Sequence, residues 1–361
     1  MLNRSPRRRG TRRAHKLVVK PMLVAAALLS AAALPAAVQA APTRGIALAQ
    51  SEMSALPASG TAWSALASRA RSTWPAPDLA DQDSTADVDA LAGAFYFART
   101  GDAAMRTKVR NAIMAAMGTE KGGRVLALAR NLQGYAIAAD LIDLRGYSAA
   151  DDASFRSWLS RVRRAPMTEC GSLIACHEKR PNNWGAHSGA ARIAADIYLG
   201  DGADLARAAT VVRGYLGDRR AYAGFKYGEL SWQANPSAPV GINPVGARKN
   251  GVNIDGVLPD DQRRGGVCCT LVKENYAYEG LQGLVTSAYL LSRQGYDAWN
   301  WSNQAIKRAF IWETTANYFN ATGDDSWQPW LINKVYGLKL AAKAPARPGK
   351  GFGFADWFAA H

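Results

Sequence analysis

The chain has 361 residues, 48% of them hydrophobic, with 44 basic against 29 acidic side chains and a formal net charge of +15. That length suits one large domain or two small ones. The charge is concentrated at the start. Arg4, Arg7, Arg8, Arg9, Arg12, Arg13, Lys16 and Lys20 stand without one acidic neighbour, leaving an excess of only about seven over residues 41–361. So mild an excess argues against nucleic acid as the partner and accommodates an anionic substrate.

The basic start runs into an apolar stretch, Met22 to Val38, that closes on the small-residue pattern Val38-Gln39-Ala40. Residues 1–40 therefore read as a secretory signal peptide, cleaved near Ala40. No second apolar run follows, so a secreted monomer without stable membrane insertion is expected. Residues 41–60, rich in Ala, Pro and Ser, read as a flexible N-terminal segment, and 61–361 as a single domain.

Apolar positions then recur at helical spacing over 62–73, 86–99, 103–117, 123–144 and 150–163, separated by Gly, Pro or Asp. A second series covers 186–199, 203–216, 275–293, 302–319 and 328–339. Alternating β-branched runs are almost absent, which makes the fold class all-α. Between the two blocks lies 218–274, rich in Gly, Pro, Asn and charge. A structureless stretch of that length reads as substrate-facing loops. The tail, 343–361, reads as a strap that packs Trp357 and Phe358 back onto the body.

Cys170, Cys176, Cys268 and Cys269 permit three pairings in an exported chain. Cys170 to Cys176 is the simplest loop, but spacing does not decide the pairing. No paired C-x-x-C and no H-E-x-x-H is present, so neither a zinc site nor any other cofactor is expected.

Two stretches gather the side chains able to do chemistry. In Arg180-Pro181-Asn182-Asn183-Trp184-Gly185-Ala186-His187, the Asn pair sits where a helix begins, and amide donors there favour a bound carboxylate. Asn183 and His187 share a face if that helix starts early, while a bare capping role for Asn183 fits equally well. The second stretch runs from Asn253-Ile254-Asp255-Gly256 through Asp260-Asp261-Gln262-Arg263-Arg264 to Lys273-Glu274-Asn275-Tyr276-Ala277-Tyr278-Glu279. It ends at the mouth of a helix with Leu281, Leu284, Ala288 and Leu291 on its apolar face.

Asn182-Asn183 ahead of an amphipathic helix resembles the Asn-Asn-His motif of the alginate lyase-like superfamily. Ile254-Asp255-Gly256-Val257-Leu258-Pro259, Arg263 and Asn275-Tyr276-Ala277 resemble its second signature, and the likeness spans about residues 85–340. It implies an incomplete (α/α) toroid of antiparallel helix pairs that cleaves a 4-linked uronic-acid polymer by β-elimination. Such chemistry needs the C5 carboxylate neutralised, a base for the C5 proton and an acid for the departing O4. Carried over, the resemblance gives Asn183 to the carboxylate with Arg263 or Arg264 assisting and Tyr276 to O4, while His187 takes the C5 proton or supports the carboxylate and Lys273, where the family has its Tyr-His pair, serves as carboxylate partner or base. Asn182, Trp184, Arg264, Glu274 and Tyr278 would bind the sugar chain, an anionic polysaccharide. Two alternatives compete. One is a glycoside hydrolase using a carboxylate pair from Asp255, Asp260, Asp261, Glu274 and Glu279. The other is a carbohydrate-binding protein without catalysis.

Overall fold

The apolar periodicity produces helices through most of the computed structural model, which describes residues 45–271 and 275–360, apart from the long stretch between Tyr215 and Pro259. The expected signal peptide, Lys273 and Glu274 lie outside the described residues. The helices are α1 (Gln50–Ala55), α2 (Thr61–Arg71), α3 (Ala86–Thr100), α4 (Ala103–Ala116), α5 (Val125–Leu141), α6 (Leu144–Tyr147), α7 (Ala149–Val162) and α8 (Leu173–Lys179). They continue as α9 (Asn183–Leu199), α10 (Gly202–Tyr215), α11 (Pro259–Gln262), α12 (Tyr276–Arg293), α13 (Trp301–Ile311), α14 (Gln328–Tyr336) and α15 (Ala355–Phe358). Among the described residues the only paired strands are β1 (Arg248–Lys249) and β2 (Val252–Asn253), two residues each. The chain is all-α.

Several starts are set by side-chain caps. Asp102, Ser148, Ser172, Asn182 and Asp201 each accept a hydrogen bond from the first turn of the helix that follows. Gly101 and Gly200, both left-handed, end α3 and α9. The helix expected over 302–319 stops at Ile311, and a wider turn over Trp312–Ala316 follows it.

Two kinds of helix result. Rich in Ala and Gly and apolar nearly all round, α3, α5, α9 and α12 form a buried row in which each packs on the next. Gly283 makes the α9–α12 contact close, because a side chain there would strike the backbone at Ala186 and His187. The remaining long helices bury one face only. Helix α2 packs on α3, α4 on α3 and α5, α7 and α8 on α9, α10 on α9 and α12, and α13 on α12.

The tail behaves as a strap. Phe354, Trp357 and Phe358 surround Phe95 of α3, while Phe352 and Phe358 meet Tyr289 of α12. Lys350 is buried with it and donates from Nζ to Asp87 Oδ1 at 2.6 Å, to Asn131 Oδ1 at 2.7 Å and to the Ser84 carbonyl. Residues 45–60 depart from the flexible segment expected of them. They carry α1, bury Ile46, Ala47, Leu48 and Met53, and are pinned where the Gly45 and Ile46 amides donate to Asp140 Oδ2. They are tied to the last turns of α3 and α12, where Arg99 Nε donates to the Leu56 carbonyl at 2.7 Å and Arg293 Nε to the Gly45 carbonyl at 3.1 Å, which composition could not reveal.

Over its described residues, 218–271, the loop stretch is mostly irregular, as expected, but only part of it faces a cavity. Trp232, Ala247, Ile254 and Val257 make a small core of their own with Trp312. Cys170 and Cys176 are bonded, the simplest of the possible loops, and Cys268 is paired with Cys269. No helix among the described residues is long and apolar enough to cross a membrane.

Candidate active site

The first turns of α5, α9 and α12 open onto one cavity of about 380 Å³, lined also by Gln82 and Arg264 and by Asp260 and Asp261 of α11. Because the buried helices run side by side, their N-terminal ends gather at the same end of the row. Unpaired amides and aligned peptide dipoles make such a place attractive to an anion.

Asn182 caps α9, and its Oδ1 accepts from the Trp184 amide at 3.2 Å. The helix therefore starts at Asn183, early enough to put Asn183 and His187 on one face. Asn183 is held twice. Its backbone amide donates to Asp261 Oδ1 at 3.0 Å, and its own Oδ1 accepts from the Trp184 amide at 2.9 Å. The side chain thus does cap the helix, while its Nδ2 has no partner among the described residues and Asn183 lines the cavity.

Arginines supply the positive charge. Arg264 donates from Nη2 to Tyr276 Oη at 3.2 Å, its guanidinium 4.5 Å from the ring centre. Arg124 stands 5.7 Å from the Trp184 ring centre and donates to Gln82. Arg130 holds Glu279 at 2.8 Å and Asp324 at 3.4 Å. Arg124 and Arg130 were missed in the sequence. The available signal was a basic residue at position 130 in a helix buried nearly all round, with Asp140 its one other half-buried position.

The carboxylates divide by environment. Burial drives the Asp261 carboxyl well above its ordinary range, although the Asn183 amide and the Tyr215 hydroxyl, at 3.4 Å, hydrogen-bond to it. Burial also works to raise Glu279, but His187 and Arg130 outweigh it and hold Glu279 below the usual value. Burial holds His187 below its ordinary value, partly opposed by Glu279. Ionised Glu279 therefore faces a neutral ring, with His187 Nε2 3.5 Å from Oε2. Asp325 sits behind them, taking the Asn275, Gln282 and Gln328 side-chain amides at 2.7–2.8 Å.

Of the residues singled out in the sequence, Asn182, Asn183, Trp184, Arg264 and Tyr276 come together on this cavity. Three do not. His187 is wholly buried behind Glu279 and does not line the cavity, so it is no direct base for a substrate proton. Tyr278 is a core residue, with its hydroxyl donating to the Phe319 carbonyl at 2.8 Å and its ring against Phe310 and Phe319. Arg263 is tied through Nε to Asp260 at 2.9 Å and lines a smaller neighbouring cavity instead.

Comparison with known protein families, with characterised proteins and with solved structures finds no match for this chain.

Proposed function

We propose that this chain is a secreted polysaccharide lyase that cleaves a 4-linked uronic-acid polymer by β-elimination, on an incomplete (α/α) toroid. The buried row α3–α5–α9–α12 with its outer helices supports the architecture, the strap lying at the open side between α3 and α12. The bonded Cys170–Cys176 pair suits an exported chain. The reading is carried by one observation: a tyrosine hydroxyl with an arginine on it shares a cavity with a side-chain amide, two further arginines and three helix N-termini.

Elimination uses each of these groups. Asn183 Nδ2 and the helix ends neutralise the C5 carboxylate, which acidifies the C5 proton. The Tyr276 oxygen, held by Arg264 Nη2, takes that proton as the base. The C–H electron pair becomes the C4–C5 double bond, the C4–O4 bond breaks, and Tyr276 returns the proton to O4. A single residue serves both steps where C5–H and C4–O4 lie on the same face of the sugar. Arg130 and His187 hold Glu279 ionised as an acceptor for sugar hydroxyls.

The test is ultraviolet absorbance over time with polymannuronate, polyguluronate, glucuronan and hyaluronan supplied separately. The expected rise marks the conjugated double bond, and Asn183→Ala or Tyr276→Phe should lower its rate by about 10²-fold or more. Full activity in both variants would refute the assignment.

A glycoside hydrolase is the second reading, because Asp261 and Glu279 line one cavity with their acidities pushed apart. Against it, Asp261 is buried with both oxygens occupied, and so is poorly placed to protonate a sugar oxygen. New reducing ends without absorbance would select the hydrolase.

A further inference from the structure

Beside the main cavity lies a smaller one of about 180 Å³, lined by Arg180, Asn182, Trp184, Arg263 and Arg264. That is room for several waters, on the scale of one pyranose ring. Asn182, Trp184 and Arg264 line both cavities, so the two are neighbouring stations along one path. Their electrostatics differ. The main cavity sets Asp260, Asp261 and Glu279 against its arginines, whereas no carboxylate lines the smaller one.

The three guanidinium groups there are poorly neutralised. Asp260 takes the Arg263 Nε at 2.9 Å and so fixes that side chain, while its terminal nitrogens have no partner among the described residues. Arg180 is exposed, with no ion pair among the described residues. Arg264 offers one nitrogen to Tyr276 and keeps the rest. Planar forks grouped around a concavity suit a carboxylate, and Trp184 between the stations offers a flat face to a sugar ring.

We infer that the smaller cavity is a second uronate subsite, one sugar along from the site of elimination, so that the enzyme selects chains with two consecutive uronates. This rests on the polyuronate reading of the main cavity and adds a discrimination. Chains in which each uronate is followed by a neutral N-acetylhexosamine place no charge at Arg180 and Arg263.

The experiment reads binding and turnover separately. Calorimetry on the full chain would compare a homopolymeric trisaccharide of uronates with a hyaluronan trisaccharide of alternating sequence, for the native chain, Arg180→Gln and Arg180→Lys. Arg180→Gln should weaken the uronate trisaccharide about tenfold and leave the hyaluronan fragment unchanged, with Arg180→Lys restoring part of the loss. In turnover it should raise KM and spare kcat, since Arg180 does not touch the reacting atoms. Equal binding of both trisaccharides by the native chain, or no effect of Arg180→Gln on either, overturns the subsite even if β-elimination is observed. Weakened uronate binding by Arg180→Gln without any double bond forming keeps the subsite and removes the lyase. Failure of the native chain to bind either trisaccharide removes both.

Discussion

Lys350→Met tests how the strap is held. The ammonium is 5% exposed and its partner Asp87 is 1% exposed, 2.6 Å away, with Asn131 Oδ1 and the Ser84 carbonyl as further acceptors. Methionine keeps most of the volume and removes the charge, leaving a carboxylate stranded on α3. Breaking a buried pair from one side costs about 3–5 kcal/mol, a large share of the roughly 5–15 kcal/mol that holds a typical domain. Burial already raises the Asp87 carboxyl in the native chain against the pull of Lys350, and loss of the lysine pushes it further up. A carboxyl raised in the fold is favourable when protonated. Its contribution is present below the unfolded value and is lost as pH rises through the folded one. The deficit of Lys350→Met relative to the native chain should therefore be small near pH 4 and largest above neutrality. Urea denaturation followed by tryptophan fluorescence at both pH values measures it. A deficit below about 1 kcal/mol at neutral pH, or one that does not shrink in acid, would refute the reasoning, and Lys350→Met with Asp87→Leu should recover most of the loss.

Three further outcomes follow from particular side chains. Tyr278→Phe should cost about 1 kcal/mol of stability through the lost bond to Phe319 and leave turnover unchanged, the reverse of Tyr276→Phe, as denaturation and kinetics on both would establish. Burial pushes Glu313 up to about 7, opposed only by the Asn317 amide, so the native fold should lose about 3 kcal/mol as pH rises from about 4.5 to about 7. Glu313→Gln should flatten that slope, and identical pH profiles for the two proteins would exclude it. Cys176→Ser opens the loop that Cys170 and Cys176, six positions apart, close between them and should lower stability by about 2 kcal/mol, read by denaturant midpoint.

Much of this was legible in the sequence, for identifiable reasons. Each long helix announced itself by an apolar stripe sustained over several turns. Helices α1, α6 and α8, of four to seven residues, are too short to show one. Tyr276 and Tyr278 sit two residues apart on α12 and so point to different sides. Tyr278 stands three residues before Leu281, on the stripe that faces the core, and this spacing already argued against a role in binding sugar. His187 had the right register relative to Asn183, but its distance from solvent depends on how closely α12 approaches, which Gly283 decides from another part of the chain. Arg124 and Arg130 escaped for a similar reason, because their partners Gln82, Glu279 and Asp324 are brought near only by the packing of the row.

The strap has a bearing on the order in which the molecule is built. Trp357 Nε1 donates to the Pro57 carbonyl at 2.9 Å, a contact between residues 300 apart in the chain. Such a seam gains nothing until both segments are present, and every partly folded form that lacks it leaves Phe95 and Tyr289 uncovered. Contacts that form after the main barrier govern how fast a protein comes apart more than how fast it assembles. The aromatic seam is thus the molecule's clasp against unfolding: loosening Trp357 should speed opening while the helical row still forms at its usual rate.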